Sequence, residues 1–573
     1  MGSIERGEIR LDSPASHGLH PERRNRLPWE LEVGSWKLIA ALIIACAELS
    51  SAQHYEHPLP ADFNEPIRLY TTGLGTFTRP ISSSNAEAQS YFNQGFQLMY
   101  GFAKVEAGRS FREAQKRDPD CAICYWGEAW AWGPYVNGRM TAAHAGRAHA
   151  AIQKAVALAD QHANPKEQAL IRAMSLRYPQ PSAGAGSKDP ALRATAMIDQ
   201  AGPSDLAYAD AMARVAAAYS DDLDVATLYA EALFLLLPRP SAFPVDDPTV
   251  TRVLAVLEGA LKRDVKHPGA CHLYIHMTEL TPEPQRAVAC AEYLGNSIPG
   301  ASHINHMPAH VWTKVGRWGD AVAASLQAWQ SDQKAAKGEG FLTYPAHDLH
   351  MLVYAASWDG QSSVALQAAR GFTRLTDDPM LHALVLVRFG RFQEVESLGP
   401  RPANELSAGM WDFAHGYAAL RRGDLGTART FLERLQNASV TSKSMFRVHR
   451  VGALLGLVSE ILDGEIALAG GYISGAITAF YRAAVQDGMT VDDPEPLPFA
   501  VRHWLGAALV QAKRFSEAER VYREDLARHP HNGWALVGLQ QALRGQGRPT
   551  REVDEELRKS WARADVRISA SRF

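Results

Sequence analysis

The sequence predicts an all-α fold, a solenoid of stacked helical hairpins, and three observations carry that expectation. From about residue 86 onward, apolar residues recur at i, i+3, i+4 and i+7 and strict alternation is scarce, the pattern of amphipathic helices rather than strands. Small and large residues also return at fixed offsets. Gly95, Ala107, Phe111, Ala114 and Pro119 stand at 0, 12, 16, 19 and 24; Gly506, Ala518, Tyr522 and Pro530 repeat 0, 12, 16 and 24; Gly416, Ala428 and Leu432 repeat 0, 12 and 16. Finally, Gly316-Arg317-Trp318-Gly319-Asp320-Ala321 reads as the turn and second-helix start of a further unit. In such a hairpin the small residues let two helices touch, the large one fills the gap, and proline stops the second helix.

These are the positions of a tetratricopeptide-like α-solenoid, and they divide the chain in order. Residues 1–52 read as a targeting segment: Arg23, Arg24, Arg26 and Lys37 precede the apolar run Leu38 to Ala47, and Ser50 and Ala52 fit cleavage after Ala52. Ten apolar residues are too few to span a bilayer, which needs about 20. The expected location is therefore secreted or the secretory lumen, with a cytoplasmic or membrane-anchored protein as the alternative. Residues 53–85 form an irregular, Pro-rich approach, 86–182 the N-terminal hairpins, 183–380 a central helical section, and 381–573 the C-terminal repeats. Loops at 183–190 and 238–248 break the array.

Composition excludes more than it assigns. A hydrophobic share of 46% and a charged share of 21% are those of an ordinary globular chain, and a net charge of -3 with no long basic run argues against nucleic acid and against an anionic membrane surface. Among the five cysteines, Cys121 and Cys124 form a CxxC suited to a disulfide in an oxidising compartment. Cys271 and Cys290 stand apart, Cys271 as a buried apolar filler.

The chemistry is concentrated between His267 and His350, which hold 8 of the 21 histidines. His272, His276 and Glu279 stand at i, i+4 and i+7, on one face of a helix. His303, His306 and His310 follow, with Pro308 expected to start a helix and leave His303 and His306 on its approach. His347 and His350 are an i, i+3 pair. Neutral imidazole is the commonest metal ligand, and an imidazole-rich set with a carboxylate suits Cu, Fe or Zn better than Mg or Ca. The candidate ligands are His272, His276, His306 and His310, then His347 and His350. Glu279, His303 and Asp348 are the candidates for acid–base or orienting work, Glu279 either as a further ligand or behind an imidazole, and Asp348 beside His347. More candidates than four positions suggests two metals, or one metal with supporting histidines. Tyr135, Tyr344 and Trp312 are candidates to line a pocket, although repeat proteins use most aromatics for packing.

Several stretches resemble a widespread family of tetratricopeptide-repeat proteins in which HxxxHxxE, HMPxH and HxxH motifs recur together. They include Tyr91 to Phe96, Asp118 to Gly127, Leu228 to Ala232, His267 to Glu279, His306-Met307-Pro308-Ala309-His310, His347 to His350 and Asn532-Gly533-Trp534. The resemblance runs from about Gly73 to the C-terminus and implies that the histidine motifs share one site. This chain departs from the family's pattern at Phe102-Ala103-Lys104 (usually Phe-Asn-His), Gly133-Pro134-Tyr135 (Gly-Pro-Asn), His347-Asp348 (His-Asn) and Glu495-Pro496-Leu497 (Glu-Pro-Pro). No nucleophile elbow, phosphate loop or dinucleotide fingerprint is present. The expected function is a Cu- or Fe-dependent oxidoreductase acting on a small organic substrate in the concave pocket. The alternatives are a non-catalytic scaffold for protein or peptide partners, and a metal carrier or Zn hydrolase.

Overall fold

The computed structural model describes residues 65–573 apart from 139, 141, 180–201, 239–242 and 488–491. The expected leader and the loop at 183–190 lie outside the described residues. Helices α1 (Ala86–Tyr100), α2 (Lys104–Arg117) and α3 (Ala122–Trp132) open the array. They are followed by α4 (Ala142–His162), α5 (Pro165–Arg177), α6 (Pro203–Ala218), α7 (Leu223–Phe234) and α8 (Pro248–Arg263). The central section holds α9 (Pro268–Thr278), α10 (Val288–Leu294), α11 (Ser302–Lys314), α12 (Trp318–Ala335) and α13 (Pro345–Trp358). Then come α14 (Ser362–Thr376), α15 (Met380–Arg388), α16 (Glu405–Arg421), α17 (Leu425–Thr441) and α18 (Val451–Ala469). The last are α19 (Ile473–Asp487), α20 (Arg502–Gln511), α21 (Phe515–Arg528), α22 (Gly533–Gly545) and α23 (Arg551–Ser560). A two-residue hairpin, Met445–Phe446 against His449–Arg450, is the strand pair among the described residues.

Each helix packs chiefly on its neighbours in the chain, as a tetratricopeptide-like solenoid requires. The repeat positions explain the close approach. Phe111 of α2 wedges between α1 and α3, where a Cβ on Gly95 or Gly127 would come within 2.8 and 2.5 Å of its ring. Tyr522 of α21 occupies the same place between Gly506 and Gly538. Phe480 of α19 does so against Gly464 of α18, a unit that the offset count did not pick out. Helix starts are set by local chemistry: Asn85, Asp247, Asn404 and Asn532 each accept backbone N–H groups of the first turn.

The C-terminal repeats also reach the central section. Trp318 Nε1 donates to the Pro530 carbonyl at 2.8 Å, Trp534 Nε1 to the Ser357 carbonyl at 3.0 Å, and Arg563 forms a two-pronged ion pair with Asp359.

Two local expectations give way. Pro308 does not start a helix; it lies inside α11, so His303, His306 and His310 are all helical. Proline there forfeits one backbone hydrogen bond, but α11 is buried from Ser302 to Thr313. Its proline ring seats on Gly295, where a Cβ would stand 3.1 Å from Pro308 Cγ, and Asn305 ties the helix to the Gly295 carbonyl and to Ser331. Tertiary packing outweighs the local penalty. Cys271 is not an unbridged filler either: it forms a disulfide with Cys290, fastening α9 to α10, while Cys121 and Cys124 form a second.

Candidate metal centre

Two three-histidine groups lie side by side in the central section. His272 and His276, one turn apart on α9, meet His303 from the first turn of α11; His306 and His310, one turn apart on α11, meet His347 from the first turn of α13. In each group a helix supplies two imidazoles at i and i+4, which lie on one face, and the next hairpin supplies the third. The donor atoms of each group lie within 4.8 Å of one another. The two groups adjoin, with ring centroids 4.7 Å apart for His303 and His306 and 6.2 Å for His276 and His310.

Three of the Nδ1 atoms are held by acceptors. His272 Nδ1 is 2.6 Å from the Tyr100 carbonyl, His276 Nδ1 is 2.9 Å from Glu279 Oε1, and His310 Nδ1 is 2.8 Å from Asp493 Oδ2. His306 Nδ1 stands 2.9 Å from Asp348 Oδ1. A carbonyl can only accept, so His272 carries its proton on Nδ1 and its lone pair on Nε2. That Nε2 is 3.0 Å from His303 Nε2, and His306 Nε2 is 3.0 Å from His310 Nε2. Two metal–nitrogen bonds of ~2.0–2.1 Å meeting at 90–109° separate their donor atoms by ~2.9–3.4 Å. The donor set therefore fits a transition metal in each group.

Electrostatics favours the neutral, ligating form of the rings. Burial, reinforced by neighbouring imidazoles, lowers His272 and His303 well below the ordinary histidine value, and burial brings His306 down to about 4. Burial pushes the Glu279 carboxyl up to about 8; a cation held by the imidazoles would draw it down again. For Asp493 burial acts upward but His310 and Lys314 outweigh it, and the group stays below the usual carboxylate range. Behind His306, Asp332 of α12 neighbours Asp348. Burial raises both, Asp332 to about 9 with the Asp348 charge adding to the effect, and Asp348 to about 7.

Phe102 covers the first group. Its ring centroid lies 4.2 Å from that of His272, 5.6 Å from His276 and 5.2 Å from His303. The residue is in the left-handed region at φ 58°, a conformation that costs a bulky side chain ~1–3 kcal/mol and concentrates at functional sites. Its far side meets Tyr135, whose hydroxyl hydrogen-bonds that of Tyr344, and Tyr344 stands edge-on to His303. Lys104 lies 4.4 Å over the Tyr135 ring and donates to the Gly133 carbonyl. His347 and Tyr344 are half-buried, while His272, His303 and His306 are at most 1% exposed.

The sequence-derived candidates thus separate. His272, His276, His306, His310 and His347 come together, and so does His303, as a sixth imidazole rather than a lone acid–base group. Glu279 lies against His276 and His310, and with His310 and Asp493 forms a third group of donor atoms within 4.8 Å of one another. Asp348 Oδ1 lies 2.9 Å from His306 Nδ1. His350 is outside both groups: its Nδ1 accepts from Arg447 Nη2 at 3.1 Å, and burial together with the Arg447 charge lowers it to about 3. Sequence reading missed Asp493, Asp332, Phe102 and the Tyr100 carbonyl. The run Asp492-Asp493-Pro494-Glu495 was the one signal that could have drawn attention: Asp492 pairs with Arg447 and His449, Asp493 with His310, and Glu495 with Arg528 and His529.

No family model and no curated protein matches the chain. Solved structures do. The chain is 12% identical to the human IFIT1 dimer with m7Gppp-AAAA, covering 86% of this chain and 92% of that one at a TM-score of 0.28. It is 11% identical to yeast Tom70 (83% and 98%, TM-score 0.29), and 12% identical to the Cut9–Hcn1 APC/C hetero-tetramer (85% and 78%, TM-score 0.28). Among the described residues no helix is long and apolar enough to cross a membrane.

Proposed function

We propose that the chain binds two transition-metal ions, one in each three-histidine group, and acts as a metal-dependent oxidoreductase on a small organic molecule. The observation that carries the reading is the pair of 3.0 Å Nε2–Nε2 separations, backed at Nδ1 by the Tyr100 carbonyl and Asp493. All-imidazole donors suit copper or iron, with zinc compatible. Bound copper or iron would supply electron transfer, and the closeness of the two groups would let one substrate meet both ions. The protein's own work is to keep His272, His303 and His306 neutral by burial, orient His272, His276 and His310 through their Nδ1 partners, shield the first group with Phe102, and admit substrate beside His347. Two disulfides and the leader-like segment support an oxidising, secretory compartment.

The second reading, a scaffold for a protein or peptide partner, is favoured by the tetratricopeptide-like fold itself, since repeat arrays offer extended binding surfaces. A carrier or zinc hydrolase would use the same ligands. Metal content of protein purified without a histidine tag separates them. The expected result is about two Cu or Fe ions per chain, lost in a folded His272→Ala/His310→Ala variant. No metal in the wild type after reconstitution with Cu, Fe and Zn in turn would overturn the enzyme and carrier readings together, leaving the scaffold. Zinc alone would redirect the search to hydrolysis.

A further inference from the structure

Glu279 sits where α9 ends, and its two oxygens face different histidine groups. Oε1 is 2.9 Å from His276 Nδ1 in the first group and Oε2 is 3.1 Å from His310 Nδ1 in the second, with the side chain only 8% exposed. Both contacts are to Nδ1; at His310 the Nε2 is turned to His306, and Glu279 Oε2, His310 Nδ1 and Asp493 Oδ2 cluster on the other side of that ring. Resting on the two-ion reading above, we propose that Glu279 is a positioning residue shared by the two metal sites, so that the affinity of both ions depends on one carboxylate.

The physical reason is the usual one for a ligating imidazole. An acceptor on the outer N–H fixes the tautomer and the ring's rotation and makes the inner nitrogen a better donor, and losing it costs about 10–100-fold in metal affinity. The other acceptors are private to one site. The Tyr100 carbonyl serves His272, and Asp493 serves His310 at 2.8 Å. Because His310 keeps Asp493 when Glu279 is removed, the loss at the second site belongs at the lower end of that range.

Co2+ is a suitable probe, read by its visible absorption and by competition with a chromophoric chelator. His303→Ala leaves only the His306, His310 and His347 site; His347→Ala leaves only the His272, His276 and His303 site. Adding Glu279→Ala is expected to weaken Co2+ binding about 10-fold or more in both backgrounds and to alter the Co2+ spectrum in each. Adding Asp493→Ala is expected to do so only in the His303→Ala background. Circular dichroism of the unloaded variants separates lost affinity from lost fold, and Glu279→Gln, which keeps the size and one acceptor oxygen, should restore binding in one background. Weakening confined to one background on Glu279→Ala, or absent from both while wild type takes two ions, overturns the shared role. A wild type that takes no Co2+ overturns the two-ion reading, and this inference with it.

Discussion

Substituting His350→Gln should leave the metal binding proposed above unchanged and make the protein more resistant to acid. His350 is fully buried, and desolvation plus the adjacent Arg447 guanidinium lower it from 6.5 to about 3. The unfolded chain binds a proton at this residue near pH 6.5, whereas the folded chain binds it only near pH 3. Between those values the unfolded state holds the extra proton, so folding loses stability as pH falls, beginning at about 6.5. At ~1.4 kcal/mol per pH unit, the interval from 6.5 down to pH 4 costs about 3 kcal/mol. Glutamine cannot take up that proton and can still accept from Arg447. The assay is urea unfolding of both proteins at pH 7, 6, 5 and 4, with metal content measured at pH 7. Taking the difference between the two proteins cancels every other titrating group that does not touch His350. The gap between the curves should widen on acidification toward about 3 kcal/mol in the variant's favour. Parallel curves would refute the assignment of a buried neutral His350. Loss of an ion in the variant would show that His350 belongs to the metal centre after all.

Two further outcomes follow from the packing. Replacing Cys271 and Cys290 by serine opens a bridge spanning 19 residues, which on loop-closure grounds lowers stability by about 3 kcal/mol; a melting temperature unchanged from wild type would show that the bridge constrains nothing. Gly538→Ala places a methyl 2.0 Å from the Tyr522 ring, an overlap expected to cost about 1–3 kcal/mol by thermal or urea unfolding, whereas Gly423→Ala, with open space around it at φ 83°, tests the backbone term alone.

What the sequence made legible is what depends on short separations. The offsets 0, 12 and 16 are set by helix pitch and hairpin length, so Gly95 pairs with Phe111 and Gly506 with Tyr522 on residue type and spacing alone. Likewise i, i+4 pairs such as His272 with His276 and His306 with His310 announce themselves, because one turn of helix fixes the spacing. Pro308 misled because its local cost is real but small against the burial of all of α11. Cys271 misled because a bridge from α9 to α10 depends on how the 19-residue connection folds.

What lay beyond the sequence is what the superhelix assembles. The acceptor behind His272 is the carbonyl of Tyr100, 172 residues away, and the acceptor behind His310 is Asp493, 183 residues away. A backbone carbonyl leaves no trace in residue type, and an aspartate beside a proline reads as any turn. These partners meet the histidines only because the N-terminal hairpins pack α1 against α9 and because the C-terminal repeats contact α12 and α13 through Trp318, Trp534 and Arg563. The candidate ligands are therefore encoded locally and their alignment globally. If the centre works as proposed, substituting a ligand should abolish binding at that ligand's own site, whereas substitutions that disturb the Trp534 and Arg563 contacts should weaken the second site through Asp493 while leaving the first, which depends on Tyr100, nearly intact.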